Sequence, residues 1–240
     1  MKGWRLEQLC WPEVTALFMR NPVLILPIGA ASKEHGPHLP MNTDALLAAR
    51  LAEKLAERLA VLIAPAVPFG YYPAFRDFAG SQHLEAATFT AMVRELIENF
   101  IAQGLTRILV LNTGYSTEAP LSLVMHAIWE RHRLRIAVAD LRTLGARADY
   151  LWQQEAGSHA DERETSLMLA LAPECVTMAR AVREMEPEPR TTLRRVGAPL
   201  GSSGVYGDAT LATPEKGQIL LEAILEDIVT DLAQIFPAVG

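Results

Sequence analysis

Residues 34–44 read Glu-His-Gly-Pro-His-Leu-Pro-Met-Asn-Thr-Asp, placing carboxylates at Glu34 and Asp44 and imidazoles at His35 and His38 within one short stretch. Histidines mixed with Asp and Glu are the usual donor set for Zn2+ or Mn2+. Pro37 and Pro40 stiffen the stretch, and Gly36 permits a tight backbone, so the donors can be held in a fixed arrangement. Taken singly, a histidine here packs in a core and Asp44 caps the helix that follows. Taken as a group, they predict a metal site. Asp44 can do both jobs, because a ligand at a helix N-terminus also meets the favourable end of the dipole.

A second cluster runs from Gly157 to Ser166, Gly-Ser-His-Ala-Asp-Glu-Arg-Glu-Thr-Ser. His159 stands at a helix entrance, where it can act as acid, base or ligand. Asp161 can cap that helix, Glu164 lies in its first turn, and Glu162 reads as a mere dipole partner. A third cluster, Asn112-Thr-Gly-Tyr-Ser-Thr117, can offer hydroxyls and backbone N–H groups to a ligand, with Tyr115 and Ser116 as substrate contacts. Ser116 and Ser158 stay open as nucleophiles, although no Gly-x-Ser-x-Gly elbow is present. Gly201–Asp208 lacks the Lys-Ser/Thr ending of a P-loop and reads as a flexible lid or an interface loop. His126 and His132 share a predicted helix and read as surface or packing residues, whereas His83 follows Gly80-Ser81 in a loop that could approach the site.

The elements that must position these groups alternate. Val23–Ile28, Val61–Ala64, Arg107–Leu111 and Arg135–Ala139 read as strands. Ala45–Leu59, Leu84–Gln103, Leu121–His132, Glu162–Ala172 and Pro214–Ile235 read as helices, with Gly104 as a C′ residue and Pro214 near a helix start. Such alternation predicts an α/β fold with a mostly parallel sheet covered by helices on both faces. The long loops after Ile28 and after Leu111 then fall at the carboxyl edge of the sheet, where such folds bind ligands. No repeat or linker divides the chain, so residues 1–240 read as one domain.

Composition narrows the function. With 50% hydrophobic residues, the chain can bury a sizeable core, and its net charge of −6 disfavours a nucleic-acid surface. The basic run Arg190–Arg195 follows the acidic Glu184–Glu188 and reads as a solvated, charge-mixed loop. No apolar run is long enough to cross a membrane, and the first residues lack a signal peptide's apolar stretch. Cys10 and Cys175 are far apart, which fits a reducing cytoplasm and two buried thiols packed as small hydrophobes.

In order along the chain, His35-Gly-Pro-His-Leu-Pro40 with Thr43-Asp44, the strand ending at Asn112, His159-Ala with Glu164-Thr-Ser166, and Gly204-Val-Tyr-Gly-Asp-Ala-Thr-Leu-Ala-Thr213 resemble the creatininase (creatinine amidohydrolase) family. The resemblance spans about Leu26 to Leu221. It implies a three-layer α/β/α sandwich and a metal-dependent hydrolase of small amides, cyclic or formamide-like. It also implies two Zn2+ or Mn2+ ions as the usual complement and a homo-oligomer, commonly a hexamer. Carried over by position, His35 and Asp44 match metal ligands, Asp44 the bridging one. His159 matches the proton-transfer histidine, and Glu164 a glutamate beside the metals.

Two departures stand out. The family's usual Glu of Glu-Gln-His-Gly falls on Lys33, and a local bulge can bring Glu34 into its place. A ligand histidine is replaced by Gly114. The expected site therefore has Glu34, His35, Asp44 and Glu164 as metal ligands, with one ion or two, or with Asp161 as a substitute donor. His159 is the catalytic proton carrier, and an inward Lys33 can bind an oxyanion or an acidic substrate group. The alternative is a non-amide hydrolase or isomerase, or a small-ligand-binding member with a reduced metal site.

Overall fold

The computed structural model describes residues 2–185 and 201–237. Its elements are β1 (Trp4–Arg5), α1 (Trp11–Phe18), β2 (Leu24–Ile28), α2 (Thr43–Arg58), β3 (Leu62–Ile63), α3 (Ala86–Ala102), β4 (Ile108–Asn112), α4 (Glu118–His132), β5 (Ala137–Asp140), α5 (Glu162–Leu171), β6 (Arg183–Glu184), β7 (Gly207–Asp208) and α6 (Pro214–Ile235). The main sheet has the order β1-β3-β2-β4-β5, with every pair parallel. A small antiparallel pair, β6-β7, stands apart from it.

The middle strands are buried at every position because both of their faces are covered, and they are apolar but for Asn112 at the end of β4. Side chains alternate along a strand. In β2 and β4, Ile25, Leu109 and Leu111 therefore face a core built with α2, α5 and α6. Leu24, Leu26, Ile28, Ile108 and Val110 face the opposite core, built with α1, α3 and α4. The result is the three-layer α/β/α sandwich.

Strand β2 leads directly into the site. Gly29 follows it, and a Cβ there would run into the backbone of Asp44, so this glycine lets the start of α2 lie against the strand end. Thr113, just beyond β4, fastens the same corner by donating its hydroxyl to the Asp44 carbonyl (2.9 Å). Asp44 is thereby held between the carboxyl ends of the two central strands.

Two expectations need correction. Cys10 is exposed and Cys175 only partly buried; Cys10 begins α1, and its backbone N–H donates to Glu13 (2.8 Å). Glu162 is no surface dipole partner. It is fully buried, accepts the N–H groups of Gln153 and Gln154, and pairs with Lys216. Within the loop 201–207, Gly204 and Val205 are buried, with Gly204 against Glu34. The charge-mixed stretch around Arg190–Arg195 lies outside the described residues. Among the described residues, no helix is long and apolar enough to cross a membrane.

Candidate metal and catalytic site

Lys33, Glu34, His35, His38, Asp44, His159 and Asp161 are all buried, and Glu164 nearly so. Such a concentration of ionisable groups is costly unless each finds a partner. Their partners reveal the design.

His35 has both ring nitrogens engaged. Nδ1 lies 2.9 Å from the Lys33 carbonyl, which can only accept, so Nδ1 carries the proton. In the neutral ring Nε2 is then a lone pair facing Asp44 Oδ1 at 3.1 Å and Glu164 Oε1 at 3.8 Å; in the imidazolium it donates to Asp44. His159 repeats the pattern. Its Nε2 lies 2.9 Å from the Glu34 carbonyl and 3.3 Å from Glu34 Oε2, and so carries the proton. Its Nδ1 faces Glu164 Oε2 at 3.8 Å.

With both rings neutral, lone pairs converge on lone pairs. Donor atoms of His35, His159 and Glu164 all lie within 4.8 Å of one another. An imidazole with one nitrogen tied to a carbonyl and the other free is the usual posture of a metal-ligating histidine. The charges point the same way. Glu34, Asp44 and Glu164 against the single Lys33 ammonium leave a net −2 among these four side chains if all are ionised and both imidazoles are neutral. A divalent cation fits these residues.

Asp44 and Glu34 are held in their charged forms. For Asp44, burial works to raise the pKa, but the Lys33 ammonium and His35 overcome it and hold the group below the usual range. For Glu34, burial is again opposed, here by His159 and by the Gly36 amide, and the balance is downward. Asp161 goes the other way, because burial raises it.

Each expected residue can be placed. His35, Asp44, His159 and Glu164 come together. Glu34 also faces the site, but it engages His159 Nε2 and the Gly36 N–H rather than the bare nitrogens. Lys33 turns inward, as the sequence allowed, and its Nζ lies 2.6 Å from Asp44 Oδ2. Asp161 caps α5 by accepting from Arg163 and Glu164 N–H and also takes a bond from Gln154, so it is not free as a substitute ligand.

A cavity of about 30 Å³ lies beside Glu164, lined by Tyr115, Ser158, Arg163 and apolar groups including Leu47, Leu167 and Ile224. Tyr115 thus reaches it, while Ser116 is not among the lining residues. Burial raises the Tyr115 pKa, so its hydroxyl stays a donor.

Sequence reasoning missed three participants. Tyr72 and Phe75 place their rings 5.2 and 4.8 Å from Lys33 Nζ. The signal was present in Tyr71-Tyr-Pro-Ala-Phe75, but a lone aromatic cluster in a loop has no metal or catalytic signature. Gly204 is the third. With φ at +80° it presses against Glu34, where a Cβ would overlap the carboxylate. The same loop pairs with His159: the N–H of Tyr206 donates to the His159 carbonyl (2.9 Å), and that of Ser158 to the Tyr206 carbonyl (2.9 Å). His83 lies outside the cluster and accepts the Tyr72 N–H (2.9 Å).

Comparison with known proteins places this geometry in context. Residues 7–232 match the creatininase family, described as creatinine amidohydrolase. The chain is 27% identical to creatinine amidohydrolase of Pseudomonas putida, covering 96% of each chain. It is 28% identical to 3-dehydro-scyllo-inosose hydrolase of Thermotoga maritima, over 98% of this chain and 86% of that protein. It is 29% identical to the mycofactocin precursor peptide peptidase of Mycobacterium ulcerans, over 90% of this chain and 86% of that one. A solved structure of creatininase with Mn superimposes with a TM-score of 0.84 at 26% identity, covering 98% of this chain and 100% of that one.

Proposed function

The chain belongs to the creatininase family, and from that premise we propose that it is a metal-dependent hydrolase cleaving an amide C–N bond in a small, cyclic or formamide-like molecule. The observation that carries this reading is the pair of nitrogens, His35 Nε2 and His159 Nδ1, both aimed at the Glu164 carboxylate.

His35 through Nε2, Asp44 through Oδ1 and Glu164 through its carboxylate are the groups that would hold a Zn2+ or Mn2+ ion. Such an ion, when bound, lowers the pKa of water towards about 7 and polarises a carbonyl. The protein's own groups supply the rest. His159 presents Nδ1 as the proton acceptor and later returns the proton to the leaving nitrogen. Glu34 fixes the tautomer by receiving Nε2–H, and its negative charge steadies the imidazolium while it exists. Glu34 is therefore a positioning residue in this scheme rather than a ligand. Tyr115 donates its hydroxyl to a polar atom of the substrate. Leu47, Leu167 and Ile224 keep the cavity wall apolar and strengthen the electrostatics within it.

Two extra protons, on His35 Nε2 and His159 Nδ1, would satisfy the same atoms without an ion. That arrangement favours the alternative, a ligand-binding member without turnover, and the inosose hydrolase among the relatives keeps a non-amide ring substrate in view. Assay of the metal-supplied protein against cyclic amides, linear amides and lactones separates these cases. Amide hydrolysis abolished by chelation and by His159→Ala supports the proposal. Turnover of lactones alone, or binding with no turnover of any panel member, overturns it.

A further inference from the structure

Asp44 has two carboxylate oxygens, and the structure puts different company around each. Oδ1 faces the His35 nitrogen that Glu164 also approaches. Oδ2 is paired with the Lys33 ammonium at 2.6 Å, and Lys33 is only 4% exposed. The rings of Tyr72 and Phe75 flank it at 5.2 and 4.8 Å, presenting the electron-rich surfaces that favour a cation. This is a built enclosure. Pro73–Phe75 forms a tight helical turn that carries Phe75, and His83 fixes the backbone of Tyr72.

We infer that Lys33 is a resident cation, filling one of two cation positions around Asp44, so that the chain takes a single divalent ion rather than two. The inference rests on the metal reading above. The physical reason is competition for one carboxylate oxygen. An ion on the Oδ2 side would have to share that oxygen with an ammonium already 2.6 Å away, and like charges so close in a buried site repel strongly. The position already carries its positive charge, attached through the chain and beyond the reach of chelators.

Lys33 is thus a positioning residue, and its test reads metal content rather than turnover. The purified protein is dialysed against Zn2+ or Mn2+ and its bound metal counted; crystals soaked in Mn2+ are examined for anomalous scattering. The expected result is one ion per chain, with no anomalous peak on the Oδ2 side of Asp44. Lys33→Gln should bind a second ion or hold the first at least about tenfold more tightly, whereas Lys33→Arg should keep the wild-type count. Two ions in the wild-type protein overturn the inference, whether or not the variants fold. So does a folded Lys33→Gln with unchanged count and affinity. No ion in the wild type but one in Lys33→Gln fails the metal reading while supporting Lys33 as the cation; no ion in either overturns both.

Discussion

The Lys33 ammonium and the Asp44 carboxylate lie 2.6 Å apart, with almost none of either side chain reaching solvent. Removing one member of such a pair leaves a buried charge uncompensated, at a typical cost of about 3–5 kcal/mol. Lys33→Met should therefore lower the melting temperature by on the order of 10 °C in a chain of this size. Added Zn2+ or Mn2+ should recover part of that loss by neutralising Asp44, which thermal melts with and without metal will show. An unchanged melting temperature would mean that the pair contributes nothing to stability.

His159 and Glu34 act as a unit in the proposed chemistry. His159→Gln should reduce kcat by about 10²–10⁴ while leaving bound metal unchanged. Glu34→Gln keeps the carbonyl contact but loses the charge, and should give a smaller fall in kcat with little effect on KM. If His159→Gln instead empties the site of metal, His159 is a ligand and the proton carrier lies elsewhere.

Gly204 occupies a backbone region that other residues rarely enter, and a Cβ there would overlap the Glu34 carboxylate. Gly204→Ala should destabilise the fold by about 1–2 kcal/mol through backbone strain. It should also lower activity beyond what stability explains, because Glu34 must move off His159. Denaturant unfolding alongside kinetics at saturating substrate distinguishes the two effects.

His38 gives a pH signature separate from catalysis. Its Nε2 meets Thr165 Oγ1 at 2.8 Å, and its Nδ1 is buried without a partner. Burial, partly opposed by Glu164, holds its pKa down from 6.5 to about 4. The unfolded chain therefore takes up a proton below about pH 6.5 that the folded chain refuses until about pH 4. This contribution to stability is complete above that window and falls as the pH drops through it, by on the order of 2 kcal/mol at pH 5. Urea unfolding at pH 7 and pH 5 should show that loss in the wild type and a smaller loss in His38→Gln.

Much of this was legible in the residues. Helix Pro214–Ile235 was bounded by its own chemistry, with Thr213 accepting the Lys216 N–H (3.2 Å) and Pro214 at the first position. The two apolar strands beside the site were readable because burial on both faces leaves a continuous run. The start of α4 was not, for Glu118–Pro120 precede the first leucine of its pattern, yet they are helical because Pro is tolerated in a first turn. β1 and α1 also escaped, being short elements at the chain's start without a strong period.

At the site, residue types announced a cluster, but their division of labour depended on which nitrogen faced which oxygen. Glu34 sits beside His35 in sequence, yet a turn through Gly36, with φ at +70°, helps direct it to His159, 125 residues away. Tyr72 and Phe75 were invisible as partners of Lys33 because only the fold brings residues 33, 44 and 72–75 together.

Metal content is the decisive quantity. The wild-type protein and His35→Ala should be saturated with Zn2+ or Mn2+, dialysed, and analysed for bound metal per chain. About one equivalent in the wild type, falling to near none in His35→Ala, is the predicted result, because Nε2 is the best-placed bare donor. Less than about a tenth of an equivalent in the wild type after both metals have been supplied would contradict it, since a site meant to hold a divalent ion should retain one.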